Sequence, residues 1–167
     1  MIGVRGAGRA YNRPVELVWH DQPFEALTAA ELYAIVALRQ RVFVVEQACI
    51  YLDADGADPA CRHLWASRGG VLVAYARIVP AGVKFPEVSL GRIVTAPEAR
   101  GEGLGHVLVR RAIAAAGSVP IRIGAQAHLE RFYGEHGFTR ASEPYVEDGI
   151  PHVEMVRLPG ATAPGSP

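Results

Sequence analysis

The stretch Ala99–His106, ARGEGLGH, carries glycine at three alternate positions, and a run that reads as helix, VLVRRAIAAAG (Val107–Gly117), comes directly after it. Just upstream lies EVSLGRIVT (Glu87–Thr95), a strand pattern that stops before Pro97. Strand, glycine loop and helix N-terminus in that order make a recurrent anion site. The first helical turn leaves N–H groups unpartnered, and the helix dipole adds partial positive charge there. Gly101, Gly103 and Gly105 have no Cβ, so a phosphate could touch the backbone, and Arg100 adds a fixed charge with a fork of donors. Two well-known phosphate motifs fail here. The dinucleotide pattern G-x-G-x-x-G needs glycine where His106 stands, and the P-loop ending G-K-[S/T] is absent. Spacing alone leaves two readings open, a phosphate cradle and a plain glycine-rich turn.

The neighbouring segments set this loop in an α/β frame. VELVWH (Val15–His20) reads as a first strand. Thr28 with Glu31 three residues on forms a capping-box signature, and Leu32, Ile35, Val36, Arg39 and Phe43 recur at helical spacing as far as Gln47. An acidic loop, ACIYLDADGADPA, spans Ala48–Ala60. RHLWAS and VLVAYARIV flank Gly69-Gly70, a hairpin signal. Beyond the glycine stretch, PIRIGA (Pro120–Ala125) is a short buried strand and AHLERFYGEH (Ala127–His136) a helix with Gly137 as its stop. YVEDGIPH reads as a turn with a wall residue, His152, and HVEMVRL (His152–Leu158) closes the sheet. Strands and helices in this order predict one mixed sheet with helices against it.

A chain of 167 residues fits one domain, with residues 1–13 and 159–167 expected to be flexible tails. Lys+Arg and Asp+Glu balance at 17 each, which argues against a generic nucleic-acid or anionic-membrane binder. No apolar run approaches the ~20 residues of a membrane span. The opening MIGVRGAGRAYNRP lacks an apolar signal core, so a cytoplasmic protein with two free thiols, Cys49 and Cys61, is expected. No metal-ligand spacing is present. An EF-hand alignment on Gly56 puts Tyr51 and Arg62 at ligand positions and fails.

Two motifs then become specific together. R-G-E-G-L-G (Arg100–Gly105) fits the pattern [Q/R]-x-x-G-x-[G/A], and FYGEHGF begins 27 residues after Gly105, with Tyr133 four residues before Gly137-Phe138. Their order and context resemble the GNAT acetyltransferase superfamily. LRQRVFVVEQ, YLDADG, RHLWA, AYARI, IGAQAHL and EDGIPHVEM resemble its ElaA-like branch, so that the likeness covers about residues 15–158. The resemblance implies a GNAT fold over residues 14–158: a single domain whose central sheet is mostly antiparallel, splayed between two strands and flanked by helices. It implies acetyl-CoA as co-substrate, its pyrophosphate on the backbone of Arg100, Gly101, Glu102, Gly103, Leu104, Gly105 and His106. Ile93, Val94 and Thr95 would pair with the pantetheine arm like an added strand. Gln126 stands where many members carry Asn, with the same donor and acceptor on a longer arm. The oligomeric state stays open, homodimers being common in that family.

Acetyl transfer to an amine needs a neutral nucleophile, a donor for the developing oxyanion and a proton for the departing thiolate. A lysine-like amine must lose its proton at a cost of about 4.6 kcal/mol at pH 7. The resemblance makes Tyr133 the general acid and the Val94 N–H the oxyanion donor. Glu46, at the end of the first helix, is the preferred base, orienting a cationic amine and relaying its proton. Arg39, Phe43, His63, His128 and His152 complete the candidate acceptor pocket, and Asp53, Asp55 and Asp58 read as a cation-attracting rim or a solvated loop. Two alternatives remain, a non-catalytic acyl-CoA-binding module and an acyltransferase like the acyl-homoserine-lactone synthases.

Overall fold

The computed structural model describes residues 16–161; the expectations for residues 1–13, Val15 and 162–167 fall outside them. Eight strands form one sheet: β1 (Leu17–Pro23), β2 (Arg62–Arg68), β3 (Val71–Val79), β4 (Val88–Thr95), β5 (Ile121–Gln126), β6 (Thr139–Arg140), β7 (Tyr145–Glu147) and β8 (Ile150–Arg157). The order is β1-β2-β3-β4-β5-β8-β6, with β7 also on β8. Among the described residues, only β4 and β5 are parallel neighbours. The helices are α1 (Ala29–Arg39), α2 (Leu104–Ala116) and α3 (Glu130–Gly134). α1 and α2 lie against β3 and β4, and α3 against β5 and β6.

Local chemistry explains most of the boundaries. Thr28 Oγ1 accepts from the Glu31 N–H at 3.2 Å, and Glu31 Oε2 accepts from the Thr28 N–H at 2.8 Å, completing the capping box. Gly69 and Gly70 both adopt positive φ, as the tight two-residue turn between β2 and β3 requires. The Phe138 N–H reaches the Tyr133 carbonyl and the Gly137 N–H that of Gly134, a Schellman ending that uses the left-handed φ of Gly137. Ile35, Leu108, Val109, Ile121 and Val153 are fully buried between helices and sheet, each such side chain worth about 2 kcal/mol.

Three features depart from the sequence reading. The first helix does not run on as α to Gln47: Gln40–Glu46 winds as π-helix, with the Gln47 N–H on the Val42 carbonyl and the Cys49 N–H on that of Val44. The expected helix at Ala127–His136 divides into a 3₁₀ turn, Ala127–Leu129, and the short α3. YVEDGIPH is a full hairpin, β7 turning at Asp148-Gly149 into β8, and β6 joins the same strand; both were too short to show periodicity.

Candidate active site

β4 and β5 begin as a parallel pair but part after two residue pairs, Val88↔Ile121 and Ser89↔Arg122. Beyond that point β4 stays with β3 and β5 with β8, so their facing edges have no strand partner. The gap widens into a cleft of about 850 Å³, the size range of a small-ligand site. β4 carries a bulge beside it: Tyr75 pairs with Val94 but Arg77 with Gly91, one residue more on β4 than on β3. The bulge holds Arg92 at φ +51, a left-handed conformation that a non-glycine residue adopts only under constraint. Ile93, Val94 and Thr95 come next along β4 and line the cleft.

The glycine loop closes one end. Gly101 at φ +80 and Gly103 at φ +74 both need glycine for the backbone itself, and at either position an added Cβ would meet nothing within 4 Å. Gly105 lies in the first turn of α2 with ordinary helical geometry, and a Cβ there would touch the Phe132 ring at 3.7 Å. Gly103 caps α2 without a side-chain acceptor, and the amides of Gly101–Gly105 find no acceptor among the described residues. These amides stand at the positive end of the 13-residue α2, a cradle suited to an anion. Arg100 lines the cleft nearby, and Glu102 pairs with Arg68 at 2.5 Å. His106 Nδ1 lies 3.0 Å from His136 Nε2, one ring donating to the other.

Along the gap stand Tyr133, Gln126 and His152. Tyr133 is 7 % exposed, edge-on to Phe132 and Phe138, and burial raises its pKa well above the phenol range, so the hydroxyl stays a donor. Gln126 donates to Gln47 Oε1 at 3.1 Å, tying the end of the π-helical segment to β5. His152 pairs with Gln126 in the β5–β8 register and stacks on Tyr145, ring centroids 5.9 Å apart. Its Nδ1 lies 2.8 Å from the Ile150 carbonyl, which can only accept, so Nδ1 carries the proton and Nε2 is left with a lone pair.

The acidic loop is exposed along much of its length, but its carboxylates are tied to arginines: Asp53 and Asp58 are buried, and Asp55 stands exposed at the cleft. Arg39, fully buried, donates through Nε to Asp53 at 2.8 Å and through Nη1 to Asp58 at 2.9 Å. Arg77 bridges Asp55 at 2.7 Å and Asp58 at 2.8 Å, and Arg92 grips Asp53 at 2.6 Å from its strained bulge. Three guanidinium groups and three carboxylates thus neutralise one another. Hydrogen bonds from Arg77 pull Asp55 far below the usual carboxylate range. Burial works against the charge of Asp58, but Arg77 and Arg39 outweigh it and its pKa also falls. The network fastens α1, the loop, β3 and the β4 bulge to one another.

This arrangement corrects several expected site residues. Arg39 is committed to Asp53 and Asp58 and is closed to any substrate. His63 is fully buried, its Nδ1 accepting from the Tyr75 hydroxyl at 2.7 Å and its Nε2 donating to the Asp58 carbonyl at 3.1 Å. Glu46 is held by both Arg100 Nη1 at 2.7 Å and Arg100 Nη2 at 3.0 Å, which lowers its pKa and leaves it a poor proton acceptor. His128 is exposed outside the cleft, whereas Phe43 and His152 line it. Sequence reasoning missed Arg77, Arg92 and Tyr145. The signal available for the network was Arg39 itself, a charge on the apolar stripe of α1 that has to find carboxylates.

Residues 39–158 match the family model described as the acetyltransferase (GNAT) domain. The chain is 40% identical to protein ElaA of Escherichia coli over 145 residues, 83% of this chain and 95% of that one. Among solved structures, an acyl-CoA N-acyltransferase from Pseudomonas aeruginosa superposes with a TM-score of 0.82 at 44% identity, covering 85% of this chain and 99% of that one. The crystal structure of Escherichia coli ElaA superposes with a TM-score of 0.80 at 38% identity over 85% of this chain and 99% of that one.

Proposed function

The chain belongs to the GNAT acetyltransferase family, and from that premise we propose that it transfers the acetyl group of acetyl-CoA to a primary amine by direct attack. The observation that carries this reading is the β4–β5 split, with unclaimed amides at one end and Tyr133 and His152 along the gap. The amides of Gly101–Gly105 would take the pyrophosphate, while the open edge of Ile93–Thr95 would pair with the pantetheine amides. The Ala96 N–H donates to the Val73 carbonyl, so by alternation the Val94 N–H also turns to β3, and the N–H groups of Ile93 and Thr95, which face the gap, replace it as the proposed oxyanion donors.

His152 replaces Glu46 as the proposed base, because its Nε2 lone pair is uncommitted while Glu46 is tied to Arg100. As the amine nitrogen bonds to the thioester carbon, His152 takes a proton from it. The carbon–sulfur bond then breaks, and Tyr133 passes its proton to the thiolate. Exchange with water restores both side chains. Burial makes Tyr133 a weak acid, but the same low dielectric makes the thiolate a stronger base.

The test is thiol release from acetyl-CoA across a panel of amines. Tyr133→Phe should lower kcat about 10²-fold or more with the acetyl-CoA Kd unchanged, the range for a lost acid–base group. His152→Gln should likewise lower kcat about 10²-fold with the acetyl-CoA Kd unchanged. Binding of acetyl-CoA without thiol release from any amine would refute the reading in favour of a non-catalytic acyl-CoA binder.

A further inference from the structure

We infer that Tyr145 is a positioning residue for the proposed base: its ring holds the His152 imidazole in the tautomer that leaves Nε2 free, and Gly124 is bare to make room for it. The inference rests on the base assignment above and deepens it.

Three neighbouring strands put one row of side chains on the same face. Gln126 pairs with His152 across β5 and β8, and His152 pairs with Tyr145 across β8 and β7. Gln126 and His152 line the cleft, whereas Tyr145, the outer member of the row, does not. It therefore acts on the reaction only through its neighbour. The His152 ring is fixed at one point, by the Nδ1–H on the Ile150 carbonyl at 2.8 Å. One hydrogen bond still leaves the ring a soft torsion about χ2. A turned ring loses the carbonyl, and its single proton can then sit on Nε2, where no lone pair is left for the amine. The Tyr145 ring opposes that turn. The two planes lie 27° apart with centroids at 5.9 Å, an offset stack over one flank of the imidazole.

Packing, not hydrogen bonding, sets the place of Tyr145 itself. Its hydroxyl has no hydrogen-bond partner among the described residues, and burial raises its pKa, so it stays a neutral phenol. The hydroxyl ends over Gly124, which shares a face with Gln126 two residues on. A Cβ there would lie 3.0 Å from the phenol oxygen, inside ordinary van der Waals distance. Gly124 is a strand residue outside the left-handed region, so its backbone does not call for glycine. The phenol above it does. The turn that joins β7 to β8 is pinned as well, the Cys49 thiol donating to the Asp148 carbonyl at 3.4 Å. The bare strand position thus admits the phenol ring, and the ring holds the imidazole.

The experiment is long-range proton–nitrogen NMR of the histidine side chains, on the full chain without ligand and at a pH where the imidazoles are neutral. The His152 signals are identified by their loss in His152→Gln. Wild type and Tyr145→Phe, which keeps the ring, should both show the Nδ1–H tautomer. Tyr145→Leu should shift the tautomer ratio about three- to tenfold toward Nε2–H, the scale of one aromatic pair. With an amine that supports thiol release, Tyr145→Leu should lower kcat by up to that factor with the acetyl-CoA Kd unchanged, and Tyr145→Phe should not lower it. Gly124→Ala should shift the tautomer in the same direction, and adding Tyr145→Phe, which removes the crowded oxygen, should bring it back. An unchanged tautomer in Tyr145→Leu, an equal shift in Tyr145→Phe, or a Gly124→Ala shift that is absent or not relieved by Tyr145→Phe would overturn the inference. A lower Tm in Tyr145→Leu with the tautomer unmoved is the mark of a merely structural residue and overturns it too. A tautomer shift in Tyr145→Leu while His152→Gln keeps full kcat refutes the base assignment and leaves the positioning of the ring standing.

Discussion

Gly101→Ala and Gly103→Ala form a matched pair that separates backbone strain from contact with the cofactor. Both glycines sit in the left-handed region, at φ +80 and +74, and at both an added methyl meets no atom within 4 Å. Forcing alanine into that region costs about 1–2 kcal/mol, so the two variants should lose equal stability. For a chain of this size that is a fall in Tm of about 2–8 °C, read by calorimetry without ligand. Of these two, only Gly103 is a position of the family pattern where, as at Gly105, backbone is expected to approach phosphate. Gly103→Ala should therefore weaken acetyl-CoA about tenfold or more in isothermal titration, and Gly101→Ala by less than about threefold. Equal losses of affinity would mean that the loop's shape, not close approach at one residue, governs binding. Unchanged affinity in both would remove the cradle from the mechanism.

Asp53→Asn leaves Arg39 buried without its full counter-charge and should cost about 3–5 kcal/mol, read as a lower urea midpoint at constant m-value. His136 has its pKa pushed down to about 4 by burial first and then by the charge of His106. Its neutral form thus stabilises the fold above pH 6.5, and that contribution, about 3 kcal/mol, is lost as pH falls from 6.5 through 4. His136→Phe should flatten urea stability across that window. Asp55 and Asp58 have the depressed pKa of paired carboxylates, so their contribution holds above the ordinary Asp pKa near ~4 and fades as pH falls below it. Asp55→Asn should reduce the loss of stability on acidification below that point. Glu46→Gln should leave the pH profile of kcat intact, because the carboxylate is committed to Arg100; loss of the acidic limb would restore Glu46 as the base.

Signals confined to a few neighbouring residues were legible in the sequence. The Thr28–Glu31 box, the Gly69-Gly70 turn, the glycine loop and the Gly137 stop each need only local geometry, and each appears where the residues put it. The splay of β4 from β5 came from the family resemblance, not from any pattern in either strand. Pairing across the fold could not be read. Asp53 meets Arg92 39 residues away, and Arg100 meets Glu46 across 54. Nothing in the composition of an acidic loop says whether it faces water or three arginines. The choice between Glu46 and His152 as base turned on such a partner, since Arg100 disables one and the Ile150 carbonyl orients the other.

The π-helical winding of Gln40–Glu46 makes chain length itself a variable at the mouth of the cleft. Each extra residue in a helix rotates the chain beyond it by about 100°, so deleting one here would let the segment relax into α geometry and swing Gln47 away from Gln126. The sheet lies outside that rotation, and the glycine loop would lose only the Glu46–Arg100 bridge. Relatives that differ by a single residue in this segment would therefore keep the backbone of the proposed acyl-CoA half while presenting a different wall to the proposed acceptor half, a route to new substrates by insertion or deletion rather than by substitution.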